Sequence, residues 1–127
     1  MTFCTAINCM DGRVQIPVIN YLRKRCGAKY VDSVTEAGPN GVLAGETNLA
    51  AIASIMDRVR ISVHQHESRK IAVVGHHDCA GNPMGREFQD RQTRAAVKMV
   101  KSRFPECEVF GLWVDERWNV RELPAED

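Results

Sequence analysis

The chain has 127 residues, 44% of them apolar and 26% charged, and its 17 basic and 16 acidic side chains leave a formal net charge of +1. That size predicts one compact soluble domain over residues 1–127, and the near-neutral balance argues against nucleic acid or an anionic membrane surface as a partner. No apolar run approaches the roughly 20 residues of a membrane helix, and Met1-Thr2-Phe3-Cys4 leads straight into a strand-like segment rather than a signal peptide, so a cytoplasmic location is expected.

Residues 3–8 form a short apolar run that reads as a strand, with Cys9 at its carboxyl end. Pro17 marks a helix start, and Ile16, Ile19, Leu22 and Cys26 recur at helical spacing until Gly27 stops the pattern. A second strand is expected over residues 30–34, followed by a loop through Glu36-Ala37-Gly38-Pro39-Asn40-Gly41. The longest helix should cover residues 46–67, carrying Leu49, Ile52, Met56, Val59 and Val63 on one stripe. Ile71-Ala72-Val73-Val74 is continuous and largely β-branched, as in a central parallel strand covered on both faces. A turn through Asn82-Pro83-Met84-Gly85 leads to a helix over residues 87–103, with Val97, Val100 and Phe104 in register and Pro105 beyond its end. Residues 109–114 read as a fourth strand, and the charged tail from Asp115 onward either pairs at an edge or frays.

Strands alternating with helices predict an α/β fold: a single three-layer domain whose mostly parallel sheet has four strands, five if the tail pairs, in the order 2-1-3-4 with helices on both faces. If the first and third strands are neighbours, their crossovers leave in opposite directions. Their carboxyl ends then flank the switch point at which such sheets bind ligands.

Two short segments carry the chemistry and converge there. Cys9-Met10-Asp11-Gly12-Arg13 offers a thiol, a carboxylate and a guanidinium at alternate positions, and His76-His77-Asp78-Cys79 sets an imidazole and a thiol three residues apart on a turn. Two thiolates and an imidazole suit zinc and leave a fourth tetrahedral position open, the pattern of a catalytic more than of a structural site. Arg13 can hold Asp11 bidentately, away from the metal, whereas a free Asp11 could close the site. The remaining cysteines, Cys4, Cys26 and Cys107, complete an odd set of five that favours metal or buried-thiol uses over disulfides. Cys4 and Cys9 should face opposite sides of their strand, and Cys26 and Cys107 read as small buried hydrophobes. Trp113 and Trp118 read as packing or subunit-contact residues, and His64 and His66 as histidines near a helix end with no second metal site.

These segments resemble the two signatures of the β-class carbonic anhydrases, Cys-x-Asp-x-Arg after the first strand and His-x-x-Cys after a later one. The resemblance extends over the whole α/β core. It implies one Zn2+ per chain on Cys9, His76 and Cys79, with Asp11 and Arg13 as the catalytic dyad that opens or closes the fourth position. Gly38, His77, Asp78 and Gly81 fall where pocket or supporting residues are expected. The activity implied is reversible hydration of carbon dioxide to bicarbonate through a metal-bound hydroxide, by a homodimer or larger homo-oligomer. The chain departs from the family at Thr35-Glu36-Ala37-Gly38-Pro39, where Arg-Asn-Ala-Gly-Asn is usual, and at Cys79-Ala80-Gly81, where Cys-Gly-Gly is usual. The helical arm that commonly embraces a partner subunit is expected to be absent, because the first strand begins almost at Met1. Two alternatives use the same centre: hydrolysis of carbonyl sulfide or carbon disulfide, and a zinc-stabilised binding or scaffold protein without hydratase activity. Thr35, Glu36 and the missing arm favour the scaffold; Asp11 and Arg13 favour an enzyme.

Overall fold

Three apolar runs, β1 (Phe3–Cys9), β3 (Lys70–His76) and β4 (Glu108–Val114), make the middle of one five-stranded sheet in a computed structural model of the protein. The structure describes residues 2–125; Met1, Glu126 and Asp127, the ends of the expected domain, lie outside the described residues. With β2 (Tyr30–Glu36) and β5 (Val120–Glu122) at the edges, the strand order is β2-β1-β3-β4-β5. The four longer strands are parallel, and β5 adds to β4 antiparallel through Leu112 opposite Glu122, so the tail pairs as one of its two expected courses. Both β1 and β3 are buried at every position but the first, as continuous apolar strands covered on two faces must be.

The order reverses at β1, so right-handed crossovers put the helix after β1 on one face and the helices after β2 and β3 on the other. One face is covered by α1 (Gly12–Cys26), whose Val14, Val18, Leu22 and Cys26 pack with Cys4, Ala6, Ala72, Val74, Leu112 and Val114. The other receives α2 (Pro39–Gly45), α3 (Leu49–Gln65) and α4 (Arg86–Arg103), with Leu43, Ile55, Met56, Val59 and Val100 packed on Ile7, Ile71 and Val73. Burying each such aliphatic side chain contributes about 1.5–3 kcal/mol, which is what holds the layers together. Cys26 and Cys107 are both buried.

Five expectations need correction. The helix expected at Pro17 begins at Gly12, because the Asp11 carboxylate accepts from the Arg13 amide and caps it; Pro17 is carried inside the helix, where it forgoes one backbone bond. The stripe on that helix is consequently Val14, Val18, Leu22 and Cys26, and Ile16 is 70% exposed. The segment expected as a loop through Gly41 turns into α2 at Pro39, a residue suited to a first helical turn. The long helix expected from Glu46 starts later, at Leu49: Glu46 adopts the left-handed φ of 52° that ends α2, and Asn48 caps α3 by accepting from the Ala51 amide. Leu49, placed at the very start of α3, is 71% exposed and leaves the stripe to Ile52, Ile55, Met56, Val59 and Val63.

Candidate metal centre

β1 and β3 pair only from Thr5 opposite Ile71 to Ile7 opposite Val73, then separate. The crevice that opens lies at the carboxyl ends of both strands, where the sheet order reverses. Cys9 is the last residue of β1 and His76 the last of β3. Beyond His76 the His77 amide donates to the Val114 carbonyl at 2.9 Å, and Asp78 takes a left-handed φ of 57°, so the chain doubles back and delivers Cys79 to the crevice. The sulfurs of Cys9 and Cys79, 70 residues apart in sequence, lie 3.8 Å from one another. With a nitrogen of His76 they form a buried group whose ligand atoms are all within 4.8 Å. Strict alternation would turn Cys9 away from Cys4, yet both pack in the α1-side cluster, because β1 ends at Cys9 and the chain bends toward α1.

This donor set fits zinc. Two thiolates each about 2.3 Å from a tetrahedral ion are separated by about 3.8 Å, the spacing found between Cys9 and Cys79. His76 Nδ1 lies 2.7 Å from the His77 carbonyl, which accepts its proton and leaves Nε2 as the ligating atom. That Nε2 is buried and has no hydrogen-bond partner, a state that a bound cation would relieve. Among the described residues no second group of three His, Cys, Asp or Glu side chains gathers in this way.

The surroundings favour anionic sulfur. The Cys9 thiol is pushed far below its ordinary range, first by the hydrogen bond from Cys79 and then, against the opposing effect of burial, by His76 and the amides of Gly38 and Asp11. Cys79 moves up in response, because its proton is the one shared between the sulfurs, while the amides of Gly81 and Asn82 pull the other way. Burial lowers the pKa of His76, but its contacts with Cys9 and the His77 carbonyl outweigh that and raise it overall.

Asp11 and Arg13 stand at the rim. Arg13 Nη2 donates to Asp11 Oδ2 at 2.7 Å and Nε to Oδ1 at 3.1 Å, a two-toothed grip reinforced by the Arg13 amide at 2.9 Å. It holds the carboxyl down at a pKa of about 2. Asp11 Oδ2 nevertheless lies 4.0 Å from His76 Nε2, beside the three donors and outside their set. Asp78 is exposed and takes the other side of the guanidinium, its Oδ2 accepting from Nη1 at 3.2 Å and its carbonyl from Nη2 at 3.0 Å. His77 is exposed as well. Gly38 and Gly81 meet each other where the loops after β2 and β3 cross above the end of β1, so neither has room for a side chain.

Comparison with known proteins follows the same lines. A family model described as "Putative carbonic anhydrase" matches residues 1–124. The chain belongs to this carbonic anhydrase family. No curated protein sequence matches it significantly. Among solved structures, one of the tetrameric β-carbonic anhydrases of Sordaria macrospora is 15% identical, with a TM-score of 0.59 over 96% of this chain and 80% of its own. The β-carbonic anhydrase CcaA is 12% identical, with a TM-score of 0.59 over 95% and 79% of the two chains. A point mutant of the β-carbonic anhydrase CafD of Aspergillus fumigatus is 12% identical, with a TM-score of 0.57 over 98% and 90%. At such identities the likeness is one of fold, and it covers the sheet that positions the centre.

Sequence reasoning overlooked the residues that brace this carbonic anhydrase fold around its candidate ligands. Gln89, fully buried on α4, donates to the carbonyls of His76 and Met84, both at 2.9 Å, and accepts from the His76 amide at 3.3 Å. Asn40 on α2 donates to Gln89 and Thr93, and Asn82 donates to Asn40, joining α2, α4 and the turn after β3. Gln15 donates to the carbonyls of Cys9 and Asp11 at 2.7 and 2.8 Å. One signal was available: Gln89 and Thr93 continue the helical stripe of Ala96 and Val100, so polar residues occupied core positions.

Proposed function

We propose that this chain catalyses the reversible hydration of carbon dioxide to bicarbonate with one zinc ion held by Cys9, His76 and Cys79. The observation that carries the reading is the state of Asp11: its carboxylate lies beside the donors yet is gripped by Arg13. Three protein donors with a fourth position left open is the arrangement of catalytic zinc sites, whereas structural sites use four. When bound, zinc supplies a Lewis acid that makes water a competent nucleophile near neutral pH. Asp11, ionised at any pH well above about 2, offers Oδ2 as the acceptor that orients the reacting water, whose proton goes to buffer. Arg13 keeps that carboxylate charged and on its own side of the site. The family model supports the carbonic anhydrase assignment, and the tetrameric Sordaria macrospora neighbour supports a homo-oligomer.

A zinc-binding protein without hydratase activity is the second reading, and one observation favours it. Where the family usually has basic and amide side chains after the second strand, Glu36 turns to Arg58 on α3 at 3.5 Å, and the same arginine takes the Thr35 carbonyl at 3.2 Å. The cation on that side, Arg58, is thus engaged by acceptors of the chain itself.

Stopped-flow hydration of carbon dioxide, on protein assayed for zinc, separates the two. Turnover that follows zinc content and is abolished in Cys79→Ser is the expected result. Full zinc occupancy with a rate no better than buffer would exclude the hydratase, and assays with carbonyl sulfide and carbon disulfide would then separate those substrates from a zinc-binding protein.

A further inference from the structure

The Arg13 guanidinium is held by more than its carboxylate partner. Its central carbon lies 4.5 Å from the ring centroid of Trp118, a residue of the turn between β4 and β5. That turn is built around Asp115, whose Oδ1 accepts from the amides of Arg117 and Asn119 at 2.9 and 3.0 Å, while its carbonyl accepts from the Trp118 amide at 2.9 Å. The indole also meets His77, with centroids 6.4 Å apart and the rings edge to face. Asp78 closes the set by accepting from Nη1 and, through its carbonyl, from Nη2 of Arg13. Both residues that reach Arg13 from outside its own segment have left-handed backbones, φ 57° at Asp78 and 63° at Trp118. A bulky aromatic residue rarely adopts that conformation unless its surroundings require it, and such residues gather at functional sites.

We propose that Trp118 and Asp78 are positioning residues for the metal centre: they clamp Arg13 so that it keeps the Asp11 carboxylate out of the metal's ligand set. The argument is geometric. Arg13 sits at the start of α1 with its side chain 45% exposed, and a long, flexible arginine in water holds one geometry only if several contacts agree on it. Trp118 supplies a face, Asp78 supplies two acceptors, and the plane they impose presents Nε and Nη2 to Asp11. Without them Arg13 is free to swing, and Asp11 Oδ2, already 4.0 Å from His76 Nε2, is free to become a fourth ligand. The effect is on which state the site occupies, open or closed, and it rests on the reading of this centre as a zinc site.

The test uses cobalt(II)-substituted protein, whose visible bands report the coordination sphere, titrated with thiocyanate as a probe of the open position. The wild-type bands should shift on adding the anion. In Trp118→Leu the bands should already be altered and the apparent anion affinity should fall about tenfold, with kcat of the zinc form falling in parallel. Trp118→Phe should restore most of the anion response, since it keeps an aromatic face. Asp78→Asn, a residue well suited to the left-handed backbone, should give a smaller shift in the same direction without threatening the fold. A Trp118→Leu protein that binds thiocyanate as the wild type does, with unchanged bands, would overturn the clamp, as would Trp118→Phe and Trp118→Leu behaving alike. Because the spectral readout does not depend on turnover, loss of the anion response in Trp118→Leu supports the clamp even if the wild-type zinc protein fails to hydrate carbon dioxide.

Discussion

Gln89 clasps the backbone of His76 from both sides, donating to its carbonyl at 2.9 Å and accepting from its amide at 3.3 Å. A single side chain from α4 therefore satisfies the last residue of β3 where the ladder to β1 has already ended. Substituting Gln89→Leu keeps the volume but takes these partners from the amide and carbonyl of His76 and from the carbonyl of Met84. The expected loss is about 2–6 kcal/mol, since the His76 amide and carbonyl are both buried and each orphaned buried group costs about 1–3 kcal/mol. Chemical denaturation of the zinc-loaded and zinc-free proteins would measure it; a loss under about 0.5 kcal/mol would show that the clasp is dispensable.

Gly81 should not tolerate alanine. A Cβ there would lie 2.7 Å from the Ala37 carbonyl carbon and 2.8 Å from the Gly38 nitrogen, and one at Gly38 would meet the Gly81 carbonyl at 2.7 Å. These are backbone contacts and cannot be relieved by a side chain turning aside. Gly81→Ala must separate the two loops, and with them the Gly38 amide from the Cys9 sulfur, so we expect about 1–3 kcal/mol of destabilisation and weaker zinc binding. Gly12→Ala, where nothing lies within 4 Å, is the control and should be close to neutral in the same melts.

Removing zinc should destabilise the fold as well as the site. Without the ion the two buried sulfurs face each other at 3.8 Å, and His76 Nε2 is left without a partner. Because the ion binds the folded chain far better than the unfolded one, its binding energy adds to stability. Chelation should lower the melting temperature by about 10 °C or more, and added zinc should restore it. An unchanged melt on verified loss of metal would mean that these three side chains are not its ligands.

The acid limb of stability has a separate origin at the far end of α1. Arg25 stacks over Phe110 at 4.2 Å and bonds Glu122 at 2.7 Å and Glu108 at 3.0 Å, tying the last turn of α1 to β4 and β5. The hydrogen bond from Arg25 is the main reason that Glu108 titrates below its ordinary value of 4.5. A carboxyl whose folded pKa is depressed contributes stability that is complete above the unfolded value and is lost as pH falls through the folded one. Stability should therefore decline below about pH 4.5, and Arg25→Gln should flatten that decline while costing about 1 kcal/mol at neutral pH, the small figure set by the partial exposure of the pair. Equal acid slopes in the two proteins would show that the decline arises elsewhere.

The order of strands and the place of the crevice were legible because they depend on local pattern. Apolar runs of the right length made β1, β3 and β4, spacing placed the helices α3 and α4 and most of the α3 stripe, and both Cys9 and the turn from His76 to Cys79 fell at strand ends. Where local signals competed, the reading failed for a local reason. Pro17 suggested a helix start, but the carboxylate of Asp11 caps the helix earlier, at Gly12, and the glycines around Pro39 concealed a short helix.

By itself the sequence determined the residue types that can hold a metal and the α/β alternation that brings their segments to one end of a sheet, because donor chemistry and burial periodicity are properties of short stretches of chain. Only the tertiary structure decided that Asp11 turns to Arg13 and not to the donors, that Gln89 supports His76, and that Trp118 lies on the guanidinium. Each of those depends on how segments approach one another, which is set by the packing of every layer between them. No spacing along the chain encodes the final angstroms of such an approach.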